Sequence, residues 1–279
     1  MKKSTPILVE SNEGCARVTL NCPDRRNAFD ALMVEEICKA FETLGQDPSV
    51  RTIVLTGNGS AFCGGADINW LRSGGAVSVS QARTDAEQLG MMFRAIDECP
   101  CPVIGRVQGA VFGGGVGLVA ACDIVVADEG ATFALSEGRL GMVAGVIAPL
   151  VLQKSGSSFL RRFCLTGEVF SASVAQQYHL VHDVVEGDRL DSRIAELVQA
   201  VLRLAPEAVR DSKALLRRMY DASGENRWIA GVEANAQARV SSEAQEGLQA
   251  FLERRSPNWT ALSRNQGEQS SQGRTTRCR

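Results

Sequence analysis

Two glycine-rich stretches are the parts of this sequence whose residue types and spacing could support catalysis. Residues 109–118 (GAVFGGGVGL) follow an apolar run at 102–107 that predicts a buried strand, and they lead into an Ala-rich helix. Residues 57–68 (GNGSAFCGGADI) likewise connect a predicted strand, 52–55, to a helix. Glycines at such a junction expose backbone N–H groups at the positive end of the helix. Two such turns could direct two N–H groups at one carbonyl oxygen and stabilise it as it becomes an oxyanion.

Motifs of other anion-binding sites do not fit residues 109–118. Read from Gly113, the dinucleotide fingerprint G-x-G-x-x-G fails at Leu118. Read from Gly115, it ends at Ala120 and begins too late in the turn. No Lys-Ser/Thr pair follows to form a P-loop, and no G-x-S-x-G nucleophile motif occurs. The stretch is therefore interpreted as a backbone-donor site, with tight packing of a strand against a helix as the alternative.

Composition restricts the partners of the protein. The 279 residues are 44% hydrophobic and 22% charged, with a net charge of −2, as is typical of a globular protein. No basic block occurs outside the last few residues, so we expect no nucleic-acid partner. No apolar run is long enough for a signal peptide or a membrane span, so we expect no membrane association.

Histidines and cysteines restrict the chemistry further. The two histidines, His179 and His182, lie in one short segment without a carboxylate pattern around them, so no metal site is expected. The nine cysteines include no C-x-x-C pair. We interpret them as reduced and mostly buried residues of a cytoplasmic protein.

The predicted scaffold of the two stretches is a set of short strands, each connected to a helix. A hairpin is predicted at 7–20, a helix capped by Asp30 extends to about Leu44, and a second helix covers 81–98. Small residues at 74–80 predict a mobile loop. Helical patterns then fill the C-terminal part of the chain, at 190–203, 206–220, 227–240 and 242–253. The predicted organisation is a core at 1–187, a helical region at 188–260 and a disordered tail at 261–279.

At these motifs the chain resembles the crotonase, or enoyl-CoA hydratase/isomerase, superfamily over about residues 8–259. The resemblance rests on segments that stand in the family's order and spacing: Arg26-Asn27-Ala28, 62–68, 109–118, 122–124 and 133–141. It implies an α/β fold, a ClpP-like crotonase spiral of ββα turns with a C-terminal helical region used in trimerisation. It also implies acyl-CoA substrates, a homotrimer or dimer of trimers, and no cofactor apart from the coenzyme A of the substrate.

The resemblance also assigns site residues. The backbone N–H groups of Ala66 and Gly114 would form the oxyanion hole, and Glu137 would be the catalytic acid–base residue. Substrate or CoA contacts would come from the remaining matched positions, namely Arg25, Arg26, Ala28, Gly64, Asp67, Ile68, Gly117 and Gly145. No metal ligand is implied.

One departure from the family pattern bears on mechanism. In the two-carboxylate hydratases of this family, a glutamate stands three residues after the oxyanion glycine, and here that position is Gly117. We expect Gly117 to leave space for a branched acyl chain. A single glutamate, Glu137, still suffices either for hydration or for isomerisation of a Δ3-enoyl thioester to its Δ2 isomer.

The residues within and near the motifs favour one of these two reactions. Residues 113–118, 135–141 and 246–255 look most like a bacterial subgroup assigned to the hydration of 3-methylglutaconyl-CoA and isohexenylglutaconyl-CoA, in leucine and acyclic-terpene breakdown. The resemblance thus implies a hydratase of branched 2-enoyl-CoA, with the isomerase as the alternative. Some proteins of this fold bind RNA or act as scaffolds, but the near-neutral charge and the intact Glu137 argue against those functions.

Overall fold

A computed structural model of the protein describes residues 5–72 and 78–263. The described residues form two compact units, one that ends at Glu196 and one that begins at Leu197. Residues 74–77 of the predicted mobile loop lie outside the described residues, as do residues 264–279 of the predicted tail.

Two sheets form the framework of the first unit. Its described strands are β1 (Ile7–Asn12), β2 (Cys15–Leu20), β3 (Thr52–Gly57), β4 (Val103–Val107), β5 (Ala110–Phe112), β6 (Ile124–Asp128), β7 (Thr132–Ala134), β8 (Phe170–Ser171) and β9 (Asp183–Val185). Six of them make a sheet in the order β1-β2-β3-β4-β6-β9, and three make a sheet in the order β5-β7-β8. Apart from the antiparallel β1–β2 hairpin, all neighbours in the larger sheet are parallel.

The parallel pairing brings the two glycine-rich stretches together. Strands β3 and β4 are hydrogen-bonded neighbours, with Ile53 opposite Val103 and Thr56 opposite Arg106. Parallel neighbours end at the same edge of a sheet, which is where ligands bind in sheets of this kind. The segments that follow β3 and β4 therefore leave the sheet side by side.

Helices cover the sheets in the first unit and make up most of the second. The described helices are α1 (Ala31–Gln46), α2 (Ile68–Arg72), α3 (Val79–Asp97), α4 (Gly114–Ala121), α5 (Ala148–Thr166), α6 (Ala172–Gln177), α7 (Leu190–Leu202), α8 (Pro206–Asp221), α9 (Glu225–Arg239) and α10 (Ser242–Leu252). A short 3-10 helix at Asn258–Ser263 follows α10 and includes the first residues of the predicted tail.

Local chemistry explains why the main predicted elements form. Strand β3 is buried at every position, as its continuous apolar pattern predicts for a strand covered on both faces. The carboxylate of Asp30 accepts a hydrogen bond from the Met33 N–H and caps α1, as predicted. Helix α4 is buried along nearly its whole length, so an all-apolar sequence suits it.

One strand near the site was not predicted. Strand β5 has three residues and lies inside the stretch interpreted as a turn, because a run this short carries no periodicity. Helix α2 begins at the end of residues 57–68, where a helix was predicted, and it is only five residues long. Across the described ranges, no helix combines the length and hydropathy that a membrane span requires.

Candidate active site

A cavity in the first unit collects most of the residues predicted to act in catalysis. It encloses about 170 Å³ and is lined by Phe29, Ala66, Leu71, Leu89, Phe93, Gly114, Glu137, Met142, Val143, Ala144, Val146 and Ile147. Among the described residues of that lining, Glu137 is the one with an ionisable side chain. A wider surface groove of 390 Å³ between α1 and α3 contains neither Glu137 nor a glycine-turn donor, so we assign the chemistry to the smaller cavity.

The loop after β3 positions the Ala66 N–H. Phe29 forms a parallel bridge with Ala66, in which the Phe29 N–H donates to the Gly65 carbonyl at 2.9 Å and the Asp67 N–H donates to the Phe29 carbonyl at 2.9 Å. The backbone groups that bond to Phe29 belong to Gly65 and Asp67, the residues on either side of Ala66. The N–H of Ala66 itself therefore points away from Phe29. No described hydrogen bond uses the Ala66 N–H, so it can donate to a ligand in the cavity that Ala66 lines.

The turn after β5 positions the Gly114 N–H. Gly113 has a φ of 52°, a left-handed conformation that glycine adopts without strain, and its N–H donates to the Ala134 carbonyl at 2.9 Å. Gly114 is the first residue of α4, where a backbone N–H has no partner inside the helix. The two turns touch, because a Cβ placed on Gly65 would lie 3.4 Å from the Gly114 nitrogen. The Gly114 N–H therefore lies close to the loop that carries Ala66.

Glu137 follows β7 and begins a short 3-10 helix at Glu137–Leu140. Its carboxylate lies beside the second turn, since a Cβ on Gly113 would be 3.4 Å from Glu137 Oε1. The other oxygen, Oε2, is buried and has no hydrogen-bond partner among the described residues. Burial raises the pKa of the Glu137 carboxyl above its ordinary value, against a smaller opposing effect of its own backbone N–H. A carboxylate with a free oxygen and a raised pKa is suited to proton transfer near neutral pH.

Arg25 is held by two carboxylates. Its Nη1 lies 2.9 Å from Asp67 Oδ2 and its Nη2 lies 2.8 Å from Asp30 Oδ2, so two carboxylates already bind the guanidinium. The neighbouring Arg26 is exposed, and no described side-chain bond involves it. Contacts of Arg25 and Arg26 with CoA stay predictions, and of the two only Arg25 has described side-chain partners within the protein.

The remaining predicted CoA contacts lie around the loop and the cavity rim. Ala28 and Gly64 are half-buried, and the Gly64 N–H already donates to the Arg26 carbonyl at 2.7 Å. The Asp67 carboxylate accepts the Asn69 N–H at the start of α2, and Ile68 is 53% exposed. Gly145 is exposed between two cavity-lining residues, Ala144 and Val146. Their contacts with CoA stay predictions.

The expectation that Gly117 leaves space for the substrate is wrong. A Cβ on Gly117 would lie 2.4 Å from Ile147 Cγ2 and 2.8 Å from Phe93 Cε1, so these side chains already occupy the space. Gly117 itself does not line the cavity, whereas Ile147 and Phe93 do. Sequence reasoning missed both, because apolar residues in helical patterns cannot be distinguished from ordinary core residues.

Asn27 was part of the family motif but had no assigned role. It is fully buried with a φ of 54°. Its Oδ1 accepts the Cys22 N–H at 2.9 Å, and its Nδ2 donates to the carbonyls of Asn58, Ala61 and Phe62 at 2.8–3.1 Å. Its own carbonyl accepts from the Cys63 thiol at 3.2 Å. Asn27 therefore ties the turn before α1 to the loop that carries Ala66.

The geometry defines a class of site. Two backbone N–H groups and one buried carboxylate line the same apolar cavity, which suits an enzyme that holds a carbonyl oxygen as an oxyanion and transfers a proton beside it. No cluster of three or more metal-ligating side chains occurs in the parts of the chain that the structure describes.

Comparison with known families agrees with that class. Residues 10–262 match the family model described as Enoyl-CoA hydratase/isomerase, and the chain belongs to this family. The predicted superfamily, its α/β fold and the predicted class of enzyme are thereby confirmed.

Individual relatives cover most of the chain. It is 33% identical over 246 residues to the mevalonyl-coenzyme A hydratase of Aspergillus fumigatus, which covers 87% of this chain and 90% of that protein. It is 30% identical over 239 residues to an enoyl-CoA hydratase of Alternaria alternata, covering 85% of this chain and 78% of that protein. A solved enoyl-CoA hydratase structure from Shewanella pealeana is 36% identical with a TM-score of 0.87, over 91% of this chain and 96% of that chain. The narrower subgroup named from the motifs stays a prediction.

Proposed function

We propose that this protein is an acyl-CoA hydratase that adds water to the double bond of a branched 2-enoyl-CoA, such as 3-methylglutaconyl-CoA or isohexenylglutaconyl-CoA. The observation that carries the proposal is the unpartnered Oε2 of Glu137 in an apolar cavity that two backbone donors also line. The relative named as a mevalonyl-coenzyme A hydratase supports a branched acyl group.

In the first step the thioester oxygen accepts hydrogen bonds from the N–H groups of Ala66 and Gly114. These bonds draw electrons from the conjugated double bond and make its β-carbon electrophilic. Glu137 takes a proton from water while the water oxygen bonds to the β-carbon, and the π electrons move to the thioester oxygen as an enolate. A donor that stabilises such an oxyanion typically contributes about 3 kcal/mol to lowering the barrier.

In the second step the protonated Glu137 returns its proton to the α-carbon, and the enolate becomes a thioester again. Water is added, and the carboxylate regains its starting state. Because one carboxylate handles both transfers, we expect the hydrogen and the hydroxyl to arrive on the same face of the double bond.

The same geometry supports one alternative. A lone carboxylate beside an enolate site can remove a proton from the α-carbon of a Δ3-enoyl-CoA and return it to the γ-carbon, which isomerises the substrate without adding water. Glu137 is the one ionisable side chain among the described lining residues, and this favours isomerisation as much as it favours a one-base hydration.

A panel of thioesters separates the two functions. Linear and branched 2-enoyl-CoA and 3-enoyl-CoA are incubated with the protein and analysed by chromatography with mass detection, with Glu137→Gln as the control. The proposal expects a branched 2-enoyl-CoA to gain the mass of one water. A shift in retention at unchanged mass, without any hydrated product, would replace the hydratase with the isomerase.

We also propose that the protein assembles as a homotrimer or a dimer of trimers. In the second unit, large apolar side chains are exposed on the helices, including Trp228 at 75%, Val232 at 65% and Phe251 at 82%. Exposed apolar patches of this kind mark interaction surfaces. Light scattering of the purified protein measures the mass directly, and a monomer at micromolar concentration would contradict the assembly.

A further inference from the structure

We infer that Arg25 is a positioning residue of the oxyanion hole, acting through ion pairs with Asp67 and Asp30 that hold the Ala66 N–H in place. The inference rests on the proposed function, since it assigns Arg25 to the chemical step of that reaction. It replaces a role in binding the CoA phosphates.

Arg25 and the carboxylates of Asp67 and Asp30 form a cluster of two ion pairs next to Ala66, which we call the clasp. Arg25 Nη1 reaches Asp67 Oδ2 at 2.9 Å, and Asp67 is the residue directly after Ala66. Arg25 Nη2 reaches Asp30 Oδ2 at 2.8 Å, and Asp30 directly follows Phe29, the backbone partner of the Ala66 loop. The guanidinium thus joins the two short segments whose pairing orients the Ala66 N–H.

Each carboxylate is also bound on its other oxygen. Asp67 Oδ1 accepts the Asn69 N–H at 2.7 Å and starts α2, and Asp30 Oδ1 accepts the Met33 N–H at 3.0 Å and starts α1. The clasp therefore connects the loop to the first turns of two helices. A movement of Asp67 would be passed to the backbone that carries Ala66.

Charge and burial make the clasp depend on arginine. The Asp67 side chain is only 13% exposed, so solvent screens its ion pair less than an ordinary surface pair. Hydrogen bonds from backbone N–H groups and Arg25 lower the pKa of Asp67 and of Asp30 despite their burial, which keeps both charged. Only a planar guanidinium presents two nitrogens at once to two carboxylates, whereas lysine offers a point charge. Without Arg25, the two carboxylates would repel each other across the loop.

Kinetic constants test the assignment. We expect Arg25→Ala and Asp67→Asn each to lower kcat about 10- to 100-fold with KM nearly unchanged, since a misplacement of 1 Å can cost about 10²-fold. Asparagine retains the oxygen that caps α2 and removes only the ion pair. Arg25→Lys should recover part of the loss, and the double variant should be no slower than the worse single variant, because both remove the same contact.

The matched control is Arg94→Ala, which removes an exposed ion pair between Arg94 in α3 and Glu98, the residue that follows the helix. We expect its kcat to be unchanged. A rise in KM with unchanged kcat in Arg25→Ala would overturn the inference and return Arg25 to CoA binding. Additive losses in the double variant would overturn it as well.

A spectroscopic measurement separates this inference from the proposed function. A saturated acyl-CoA labelled with ¹³C at the thioester carbonyl is bound to each protein, and the carbonyl stretch is read by difference infrared spectroscopy. We expect a shift to lower frequency in the wild type and a smaller shift in Asp67→Asn, with Arg94→Ala like the wild type. No carbonyl shift in the wild type would count against the proposed function, whereas equal shifts in wild type and Asp67→Asn would overturn only the role of Arg25.

Discussion

The loop after β3 and the turn after β5 each deliver one backbone N–H to the cavity, but they are held by different means. Side chains hold the first, through the ion pairs of Arg25 and the buried amide of Asn27. The second has no side-chain cap. Its glycines instead pack where side chains would clash, since a Cβ on Gly114 would lie 2.4 Å from Phe29 Cζ and a Cβ on Gly115 would lie 2.4 Å from the Cys63 carbonyl oxygen.

Because the two donor segments are held differently, we expect substitutions to damage the two halves of the proposed oxyanion hole in opposite ways. The first loop should be damaged by removing side-chain atoms, which leaves buried polar groups without partners. The second should be damaged by adding atoms, which forces two backbones apart. Substitutions of both kinds test this contrast.

The largest effect on turnover is expected from a change in Glu137, which leaves both donor segments intact. Glu137→Gln replaces the carboxylate with an amide of nearly the same shape, so neither donor should move. We expect kcat to fall by roughly 10²- to 10⁴-fold, the range typical of losing a general acid–base group, with KM nearly unchanged. Steady-state kinetics with the branched 2-enoyl-CoA measures this, and near wild-type turnover would remove Glu137 from the mechanism.

The pH profile of the wild type gives a companion test. Because burial raises the pKa of Glu137, the base should lose its ionised form at a higher pH than an ordinary glutamate, and this should appear in the acid limb of kcat/KM, which reports the free enzyme. A carboxyl whose folded pKa is raised weakens the folded state as pH rises through the interval between its unfolded and folded pKa. Glu137→Gln should therefore be at least as stable as the wild type at pH 7, by thermal melting.

Adding atoms to the second turn is expected to have the next largest effect. Gly114→Pro removes the donor itself, and we expect kcat to fall by about 10²- to 10³-fold. Gly114→Ala keeps the N–H but displaces it through the clash with Phe29, so a loss of similar direction and smaller size is expected. Gly90→Ala in α3 is the control, because a Cβ there meets nothing within 4 Å. A fully active Gly114→Ala would show that the second turn tolerates added atoms.

Removing the Asn27 side chain, which holds the first loop from the turn before α1, should appear mainly in stability. Asn27→Ala leaves the Cys22 N–H and several carbonyls without their partner, and it places alanine at a φ of 54°. We expect the free energy of unfolding to fall by about 1–3 kcal/mol, measured by denaturant titration. The exposed Asn226→Ala in α9 is the matched control and should change stability little. Equal stabilities of the two variants would contradict the contrast between the loops.

The smallest expected effect concerns specificity. Ile147→Ala should open the space beside Gly117 and raise kcat/KM for longer or bulkier acyl groups relative to short ones, by about tenfold for the volume of one or two methylenes. Gly117→Ala should push Ile147 and Phe93 into the cavity and shift the preference toward short chains. The double variant should recover much of the wild-type preference, and competition between two thioesters in one assay measures it. Identical preferences in all variants would show that this wall does not sense the acyl chain.

Sequence patterns correctly predicted the structural features that depend on interactions between residues close together in the chain. The buried β3, the Asp30 cap of α1 and the two donor turns follow from residue type and short-range spacing, and the structure has all of them. The ion pair of Arg25 was not predicted because its partner Asp67 is 42 residues away, and no local pattern reveals an ion pair across that distance. Gly117 was misassigned for a related reason, since the space beside a glycine depends on distant residues such as Ile147.

The thiol of Cys63 gives the first loop an internal reporter of its motion. The side chain is fully buried, donates to the Asn27 carbonyl and accepts the Gly65 N–H, and burial raises its pKa to about 12. A thiol in this state does not react with alkylating reagents, because the thiolate forms only after the loop has opened. Alkylation of Cys63 should therefore be slow and can be followed by peptide mass spectrometry. Its observed rate constant equals the equilibrium constant for loop opening multiplied by the intrinsic rate constant of the reagent. The opening equilibrium of the loop that carries Ala66 can therefore be measured in the native protein without an introduced label.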